Sequence, residues 1–296
     1  MKRENDNKIK FWSTIPGIEE TAPIRPAREF IPKWWKSTPA HKLASEQVMP
    51  PGGQHIVRDG NQINYSAGNE TRDDPGISEE DKTRSTGTIK LCPAIHDWFD
   101  MGWVLPMWCD IHIELFEDGK LGESGGKPYN IRTPHSQFRA GLMDNIVYNH
   151  WLPKEQQKNQ AVGFINMTCP WQMVTPPGVS VFQFPMWWHF NQDFEVPPGP
   201  VWSDIYTQVN PQIIVKHYGK ITIKRGTPLC VFIPFARNAI EDLEMEIVPR
   251  DEECKRLESK TNNMVQTVFR GGYRQEQKKE LDAKAAGCPF PHEHIQ

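Results

Sequence analysis

Apolar and polar side chains alternate along the middle of the chain, which is the pattern of strands with one buried face. This alternation predicts one strand over residues 103–116. Its buried face is predicted to consist of Trp103, Leu105, Met107, Cys109, Ile111, Ile113 and Leu115. Its polar face is predicted to consist of Trp108, Asp110, His112 and Glu114. Further strands are predicted over residues 129–132, 161–167, 178–184, 204–209, 212–217, 221–223 and 229–233.

Turn signals separate these strands. Asp118-Gly119 is a strong hairpin signal. Tyr218-Gly219 is predicted to form the turn of a second hairpin, and residues 225–228 are predicted to form the turn of a third. The 26 prolines favour short strands joined by many loops, because proline is confined to turns and sheet edges. The pattern therefore predicts a mainly β protein with an antiparallel β-sandwich or barrel.

The segments around the strands predict four parts. Residues 1–40 form an extended arm rich in proline and aromatic side chains, whose rings we expect to pin it across the core. Residues 41–87 are polar and predicted as a loop region. Residues 88–250 form the β-rich core, opened by a short helix with Pro93 in its first turn and Gly102 after its end. Residues 251–296 are predicted as C-terminal helices and a tail.

The net charge and the cysteine content limit which partners the protein is expected to bind and in which compartment it is expected to work. A net charge of -3 gives no strong field for nucleic acid or an anionic membrane surface. No apolar run approaches the ~20 residues of a membrane span, and the N-terminus lacks the apolar stretch of a signal peptide. The six cysteines contain no Cys-x-x-Cys pair, so we expect free thiols in a reducing cytoplasm.

Four groups of motifs follow one another along the chain. They are F-W-S-T-I-P-G with F-I-P-K-W-W-K, L-C-P-A-I-H-D-W-F-D-M-G-W-V-L-P-M-W, T-P-P-G-V-S-V-F-Q-F-P, and I-K-R-G-T-P-L-C-V-F-I-P-F. Over most of residues 10–240 this set resembles an uncharacterised protein family of marine T4-like phages. That family is similar to a bacterial domain family of unknown function with the same T-P-P-G…G-T-P pattern. The resemblance implies a phage-encoded protein in the bacterial host cytoplasm or in the virion, and it implies no reaction.

A second resemblance concerns the fold alone. A strand that ends at Asp204, a later hairpin, and the pattern Ile223-x-x-Gly226-x-Pro-Leu are similar to the layout of dUTPase-like β-folds. We therefore expect a jelly-roll or dUTPase-like arrangement of the strands. The glycine-rich and arginine motifs with which those enzymes bind a triphosphate are not found in the chain.

One candidate site is a metal centre formed by His112, Glu114 and His217. A histidine and a carboxylate two residues apart on one strand face, with a second histidine from a facing strand, would form a two-histidine, one-carboxylate triad. The spacing resembles Fe(II)/2-oxoglutarate oxygenases, in which a downstream basic residue, here Arg225, binds the cosubstrate carboxylate. Glu114 departs from that family, which usually has aspartate. The alternative interpretation is the solvent-facing side of an antiparallel sheet.

A second candidate site is the run Trp187-Trp188-His189 with Asp193. Aromatic rings beside a histidine and a carboxylate would form a ligand pocket for a ring, a sugar or a cation. The alternative is a loop filled by aromatic packing, with His189 bonded to the backbone. In the tail, Cys288, His292 and His294 could bind zinc, although one ligand is missing for a closed site.

Two functions remain open from the sequence. The first is a β-rich binding or assembly protein that acts on a host or virion protein and forms a homo-oligomer through its arm and C-terminal helices. The second is a metal-dependent enzyme for small molecules, with Fe(II) and 2-oxoglutarate as cofactors. Neither nucleic acid nor a membrane is expected as a partner.

Overall fold

The computed structural model describes residues 8–43, 54–59, 62–67, 85–116, 129–134, 138–142, 163–266 and 272–285. The chain divides into two compact units, here called unit 1 (Met1–Pro32 and Phe99–Glu246) and unit 2 (Lys33–Trp98 and Ile247–Gln296). The arm up to Pro32 therefore belongs to the same unit as most of the β-rich core. Within the described residues, no helix has both the length and the apolar character needed to span a membrane.

Strands and short helices follow one another in this order. The strands are β1 (Lys10–Ser13), β2 (Arg25–Pro26), β3 (His41–Leu43), β4 (Gln54–Asp59), β5 (Gln62–Ala67), β6 (Ser85–Gly87), β7 (Trp103–Pro106), β8 (Ile111–Leu115), β9 (Tyr129–Arg132), β10 (Ala140–Leu142), β11 (Gly163–Met167), β12 (Trp171–Val174), β13 (Val179–Pro185), β14 (Phe194–Glu195), β15 (Gly199–Val201), β16 (Gln212–Val215), β17 (Gly219–Ile223) and β18 (Pro228–Ala236). The α-helices are α1 (Ile18–Thr21), α2 (Lys33–Ser37), α3 (Pro93–Asp100), α4 (Asn238–Glu241), α5 (Glu252–Gln266) and α6 (Gly272–Ala285).

Unit 1 is built from antiparallel sheets. The strand orders are β15-β13-β18-β7-β2, β10-β11-β16-β14, β17-β8-β9 and β1-β12. Their pairings are antiparallel. The prediction of a mainly β, antiparallel protein is confirmed, and none of these sheets closes into a barrel among the described strands. The β-sandwich remains a prediction.

Two stretches of chain, residues 106–110 and 224–228, run side by side between two of these sheets. We call them the crossing segments. β7 and β18 pair in the five-stranded sheet, whereas β8 and β17 pair in the three-stranded sheet. The Met107 N–H donates to the Thr227 carbonyl oxygen at 2.8 Å, and the Gly226 N–H donates to the Met107 carbonyl oxygen at 2.7 Å. These bonds hold both chain segments together where they change sheets.

The crossing segments correct several predictions. The predicted strand over residues 103–116 is two strands, because the chain leaves one sheet for another between them. Trp108 was predicted on a polar face but is 2% exposed, because both sides of the crossing are covered. The predicted hairpins at residues 218–219 and 225–228 are turns between strands of different sheets. The predicted strand at residues 204–209 is also wrong, since the Tyr206 N–H closes a turn onto the Trp202 carbonyl at 2.8 Å.

The core of unit 1 draws apolar side chains from the three larger sheets. Leu105, Ile113, Ile165, Ile213 and Phe232 are each at most 1% exposed. They alternate with exposed positions on β8 and β11, as the period of a half-buried strand requires. Burial of such side chains supplies most of the driving force for folding.

The cysteines of the described residues are free, as predicted. Burial raises the pKa of the Cys109 thiol to about 11, and burial also raises the pKa values of Cys169 and Cys230. A thiol that stays protonated is neither a nucleophile nor a metal ligand. These buried cysteines therefore act as small apolar side chains of the core.

The arm is less extended than predicted. α1, a 3₁₀ turn at Ala27–Phe30 and α2 interrupt it. β1 pairs with β12, and the Phe11 ring lies against Trp103 with centroids 6.2 Å apart. Phe11 packs on the core of unit 1, so an aromatic ring does hold this part of the arm.

Unit 2 contains two strand pairs, β3-β6 and β4-β5. The loop predicted over residues 41–87 is therefore wrong where these strands lie. α5 and α6 confirm the predicted C-terminal helices, and α3 confirms the predicted short helix after Cys92. The predicted Asp118-Gly119 hairpin and the cluster of Cys288, His292 and His294 lie outside the described residues.

Candidate functional site

His112 and Glu114, two of the predicted metal ligands, lie on the less buried face of β8, as the alternation predicted. The His112 Nδ1 atom is 3.0 Å from the Thr222 hydroxyl oxygen. The Glu114 carboxylate is 3.5 Å from the ammonium group of Lys220. Thr222 and Lys220 are the residues directly opposite them on β17. Each predicted ligand therefore interacts with its own cross-strand neighbour.

His217, the third predicted ligand, lies between two hydrogen-bond acceptors. Its Nε2 atom is 3.0 Å from the Asp193 carboxylate, and its Nδ1 atom is 2.9 Å from the Tyr218 carbonyl oxygen. The bond to Asp193, and then the bond to Tyr218, raise the pKa of His217 above 6.5. Both ring nitrogens are thus engaged by protein oxygens, so neither is free to bind a metal.

The predicted metal centre is not assembled by the described residues. They contain no group of three or more His, Cys, Asp or Glu side chains that could hold a metal. His112, Glu114 and His217 therefore do not meet as a ligand set for Fe(II). Arg225, the predicted partner of a 2-oxoglutarate carboxylate, is exposed, and its backbone N–H donates to the Asp110 carboxylate at 2.9 Å.

The aromatic run after β13 forms an ordered, exposed turn. Pro185 ends the strand, and Trp187–His189 make a single 3₁₀ turn that Phe190 ends in the left-handed conformation, at φ 50°. An aromatic residue at positive φ is uncommon, and such strain is often found at functional sites. Trp187 is 62% exposed and Phe190 53% exposed. The Trp188 ring packs edge-on against Phe190, with centroids 6.1 Å apart.

A cavity of about 320 Å³, here called the aromatic pocket, opens beneath this turn. It is lined by Pro185, Met186, Trp187, His189, Phe190, Asn191, Gln192, Phe194, Glu195, Val196, Lys216, Thr227, Pro228 and Leu229. The strand end and turn supply one wall. β14, the end of β16 and the start of β18 supply the rest. The pocket thus combines apolar and aromatic groups with a few polar ones, as ligand sites commonly do.

The polar edge of the aromatic pocket is held by hydrogen bonds. The Lys216 ammonium group is 3.1 Å from the Glu195 carboxylate and donates to the Asn191 carbonyl oxygen at 3.1 Å. The Asn191 side-chain oxygen accepts from the backbone N–H groups of Asp193 at 2.9 Å and Phe194 at 3.1 Å. These bonds fix the chain as it leaves the turn and enters β14.

His189 is the most unusual polar group in the lining. Its ring hydrogen-bonds the backbone of Phe30, and its Nε2 atom is buried without a hydrogen-bond partner in the described part of the chain. Burial lowers the pKa of His189 below 6.5, and the Phe30 bond opposes this only in part. The ring is therefore neutral at pH 7. With Nδ1 donating to the Phe30 carbonyl, Nε2 has a lone pair that can accept a hydrogen bond.

The structure brings together part of the second predicted site. Trp187 and His189 line the aromatic pocket, whereas Trp188, Asp193 and Arg225 do not. The backbone bond that the alternative interpretation gave His189 is present as well. Sequence reasoning missed Lys216 and Glu195, because only the pairing of β14 with β16 places them at the pocket.

Comparison with known proteins supplies no family: no protein-family model matches the chain, and no curated protein matches it. The function is therefore argued from the residues and their geometry.

Proposed function

We propose that the protein is a binding or assembly protein that captures a side chain of a partner protein in the aromatic pocket. The observation that supports this proposal is the pair of exposed rings, Trp187 and Phe190, on an ordered turn at the pocket. Exposed apolar patches often mark interaction sites, and these two rings lie on one turn that lines one pocket.

The size and chemistry of the pocket favour an anchoring side chain. Its volume of about 320 Å³ lies at the small end of ligand sites, which span about 300–1,000 Å³. Trp is among the residues that contribute most to the binding free energy of protein interfaces, especially beside a pocket with a polar rim. Lys216 and Glu195 supply such a rim. The ligand most suited to it is an aromatic or aliphatic side chain with a polar end.

From the resemblance to a phage family we expect the partner to be a host or virion protein, and both this partner and a homo-oligomer remain predictions. The oxygenase alternative has no support from the described residues, because His217 is engaged by Asp193 and Tyr218, and His112 by Thr222. We therefore propose a binding protein rather than an oxygenase.

Selection from a displayed library of random peptides tests the proposal, with the full chain as bait. Affinities of the enriched peptides are then measured by calorimetry on the wild type and on Trp187→Ala. We expect the substitution to weaken binding at least about tenfold, because it removes a ring of the hot-spot type.

Trp12→Ala is the matched control, since Trp12 is also exposed, at 40%, and does not line the aromatic pocket. It should leave the affinity unchanged. The proposal fails if no peptide is enriched. It also fails if enriched peptides bind Trp187→Ala as tightly as the wild type.

A further inference from the structure

Two neighbouring cavities of unit 1 share two amide side chains. One cavity, of about 230 Å³, is lined by Met173, Gln183, Pro197, Pro198, Gly199, Pro200, Val201, Tyr206, Gln208, Val209, Asn210, Gln212 and Phe232. The other, of about 560 Å³, is lined by Arg139, Ala140, Gly141, Asn166, Met167, Thr168, Gln208 and Asn210. Because Gln208 and Asn210 line both, the two cavities adjoin at these residues, and together we call them the amide groove. None of its lining residues belongs to the aromatic pocket.

The polar groups of the amide groove are almost all neutral. Its lining contains no Asp, Glu, Lys or His among the described residues, and Arg139 is its charged side chain. Asn166 and Gln212 are directly paired across β11 and β16. On the same strands, the alternate residues Ile165 and Ile213 point into the core, so the amides take the opposite face. Each amide offers both hydrogen-bond donors and acceptors.

An exposed aromatic ring lines the smaller cavity of the groove. Tyr206 is 52% exposed, and its hydroxyl donates to the Gln208 side-chain oxygen at 3.1 Å. The Tyr206 N–H is bonded to the Trp202 carbonyl at 2.8 Å, so the ring is mounted on a closed turn. That turn is also held by the ion pair between Asp204 and Arg237 at 2.7 Å.

A proline-rich wall also lines the smaller cavity of the groove. The Gln183 amide donates to the Pro197 carbonyl oxygen at 3.0 Å, which anchors the proline-rich stretch before β15. Proline has a fixed φ angle, so this wall loses little conformational entropy when a ligand binds. The proline-rich wall should therefore change little when a ligand binds.

We propose that the amide groove binds a neutral oligosaccharide. Sugar hydroxyl groups both donate and accept hydrogen bonds, as the amides of Asn166, Gln208 and Asn210 do. The apolar C–H face of a sugar ring can stack on Tyr206, which has an apolar ring and a polar tip. A nucleic acid would need several cations against its phosphates, and the lining supplies one.

Binding to a panel of neutral oligosaccharides tests this inference. The probes are hexasaccharides of maltose, cellulose, laminarin, mannan and chitin type, with heparin as the anionic comparison. Saturation-transfer NMR on the full chain should identify at least one neutral binder, and calorimetry then gives its affinity. We expect Tyr206→Ala to weaken that affinity at least about tenfold. Tyr206→Phe, which retains the ring, should weaken it less.

Asn210→Ala is a second variant, which tests the shared amide wall if Tyr206→Ala disturbs the turn. Tyr218→Ala is the control, because Tyr218 is also exposed, at 38%, and does not line the groove. It should bind as the wild type does.

The inference is overturned if no neutral oligosaccharide binds at millimolar concentration, or if heparin alone binds. It is also overturned if the bound sugar is indifferent to both Tyr206→Ala and Asn210→Ala. If the aromatic pocket binds no peptide, the inference about the amide groove still stands, since the two sites share no residue.

Discussion

Arg237 and Asp204 form a well-satisfied ion pair of unit 1. Their side chains are 16% and 7% exposed, and two parallel bonds of 2.7 Å join the guanidinium group to the carboxylate. The carboxylate also accepts from the Gly178 N–H at 3.0 Å, and Arg237 lies over the Trp202 ring at 4.6 Å. The hydrogen bond from Arg237 lowers the pKa of Asp204. This pair ties the turn before β13 to the turn that presents Tyr206.

Replacing Arg237 by alanine should destabilise unit 1 strongly. The Asp204 carboxylate would remain buried without its counter-charge, a change that typically costs about 3–5 kcal/mol. Chemical denaturation of the wild type and the variant measures the difference in free energy of unfolding. Lys224→Ala is the control, because it breaks an exposed ion pair with Asp110, for which about 0–1 kcal/mol is expected. Equal losses in the two variants would contradict the role given to Arg237.

The pKa values of His217 and His189 should be shifted in opposite directions from the usual value of 6.5. The pKa of His217 is raised, so its pairing with Asp193 stabilises the fold below pH 6.5, and this contribution is lost as pH rises through the folded value. The pKa of His189 is lowered, so its contribution is present above pH 6.5 and is lost as pH falls through the folded value. NMR titration of the two rings measures both pKa values.

Asp193→Asn supplies the matched test for the histidines. It removes the charged partner of His217, so the pKa of His217 should fall towards 6.5, while that of His189 stays low. A His217 pKa that does not move would mean that Asp193 is not its main partner.

Gly102 sets the junction between α3 and β7. Its φ angle of 74° lies in the left-handed region, and an added Cβ would lie 2.9 Å from the Phe232 carbonyl carbon and closer still to its oxygen. Glycine is therefore required at position 102 for two reasons. It permits the left-handed backbone angle, and it leaves room for the close approach of β7 to β18.

Gly102→Ala should cost far more stability than Gly17→Ala. Gly17 also has a left-handed φ, 84°, but has nothing within 4 Å of an added Cβ. Gly17→Ala should therefore cost only the left-handed strain, about 1–2 kcal/mol. Gly102→Ala adds the overlap with the β18 backbone, which has little freedom to move. Denaturation midpoints compare the two variants, and similar midpoints would argue against a close approach at Gly102.

How far the elements follow from the sequence depends on how local their signals are. α3 was predicted because Pro93 and Gly102 mark its two ends within one short segment. The crossing segments were not predicted, because an alternating run such as residues 103–116 does not reveal which sheet each half joins. That choice is made by pairing with β17 and β18, more than a hundred residues later in the chain.

The residues of the candidate sites, like the elements, were predictable only where they lie close together in the sequence. Trp187 and His189 were predicted because they lie within one run of three residues in the sequence. Glu195 and Lys216 meet only through the pairing of β14 with β16, and the amide groove needs β11 and β16 side by side. Amide side chains give no distinctive spacing along the chain. Such a site therefore becomes visible only in three dimensions.

At the scale of the whole of unit 1, the arm completes the sheets. β1 covers the edge of β12, the Thr14 N–H donates to the Pro170 carbonyl at 2.8 Å, and Ala27 N–H bonds the Gly102 carbonyl at 3.1 Å. The Phe30 backbone meets the His189 ring. The arm thus contacts both the core and the aromatic pocket.

Deleting residues 1–13 should lower the melting temperature of unit 1 and increase its cleavage by protease. The deletion removes β1, exposes the edge of β12 and uncovers the apolar side chains beneath Phe11. Thermal denaturation and limited proteolysis of the full chain and the deletion variant measure the two effects. The control is Trp12→Ala, which removes an outward-facing ring and should change little. A deletion variant as stable as the full chain would show that the arm is dispensable.

The crossing segments also govern how unit 1 comes apart. β7 continues into β8, and β17 continues into β18, so the same two stretches of chain build both the five-stranded and the three-stranded sheet. Separating either pair pulls on the bonds of Met107 with Thr227 and Gly226, and through them on the other pair. The two sheets are therefore expected to melt in a single cooperative step, without an intermediate in which one survives alone.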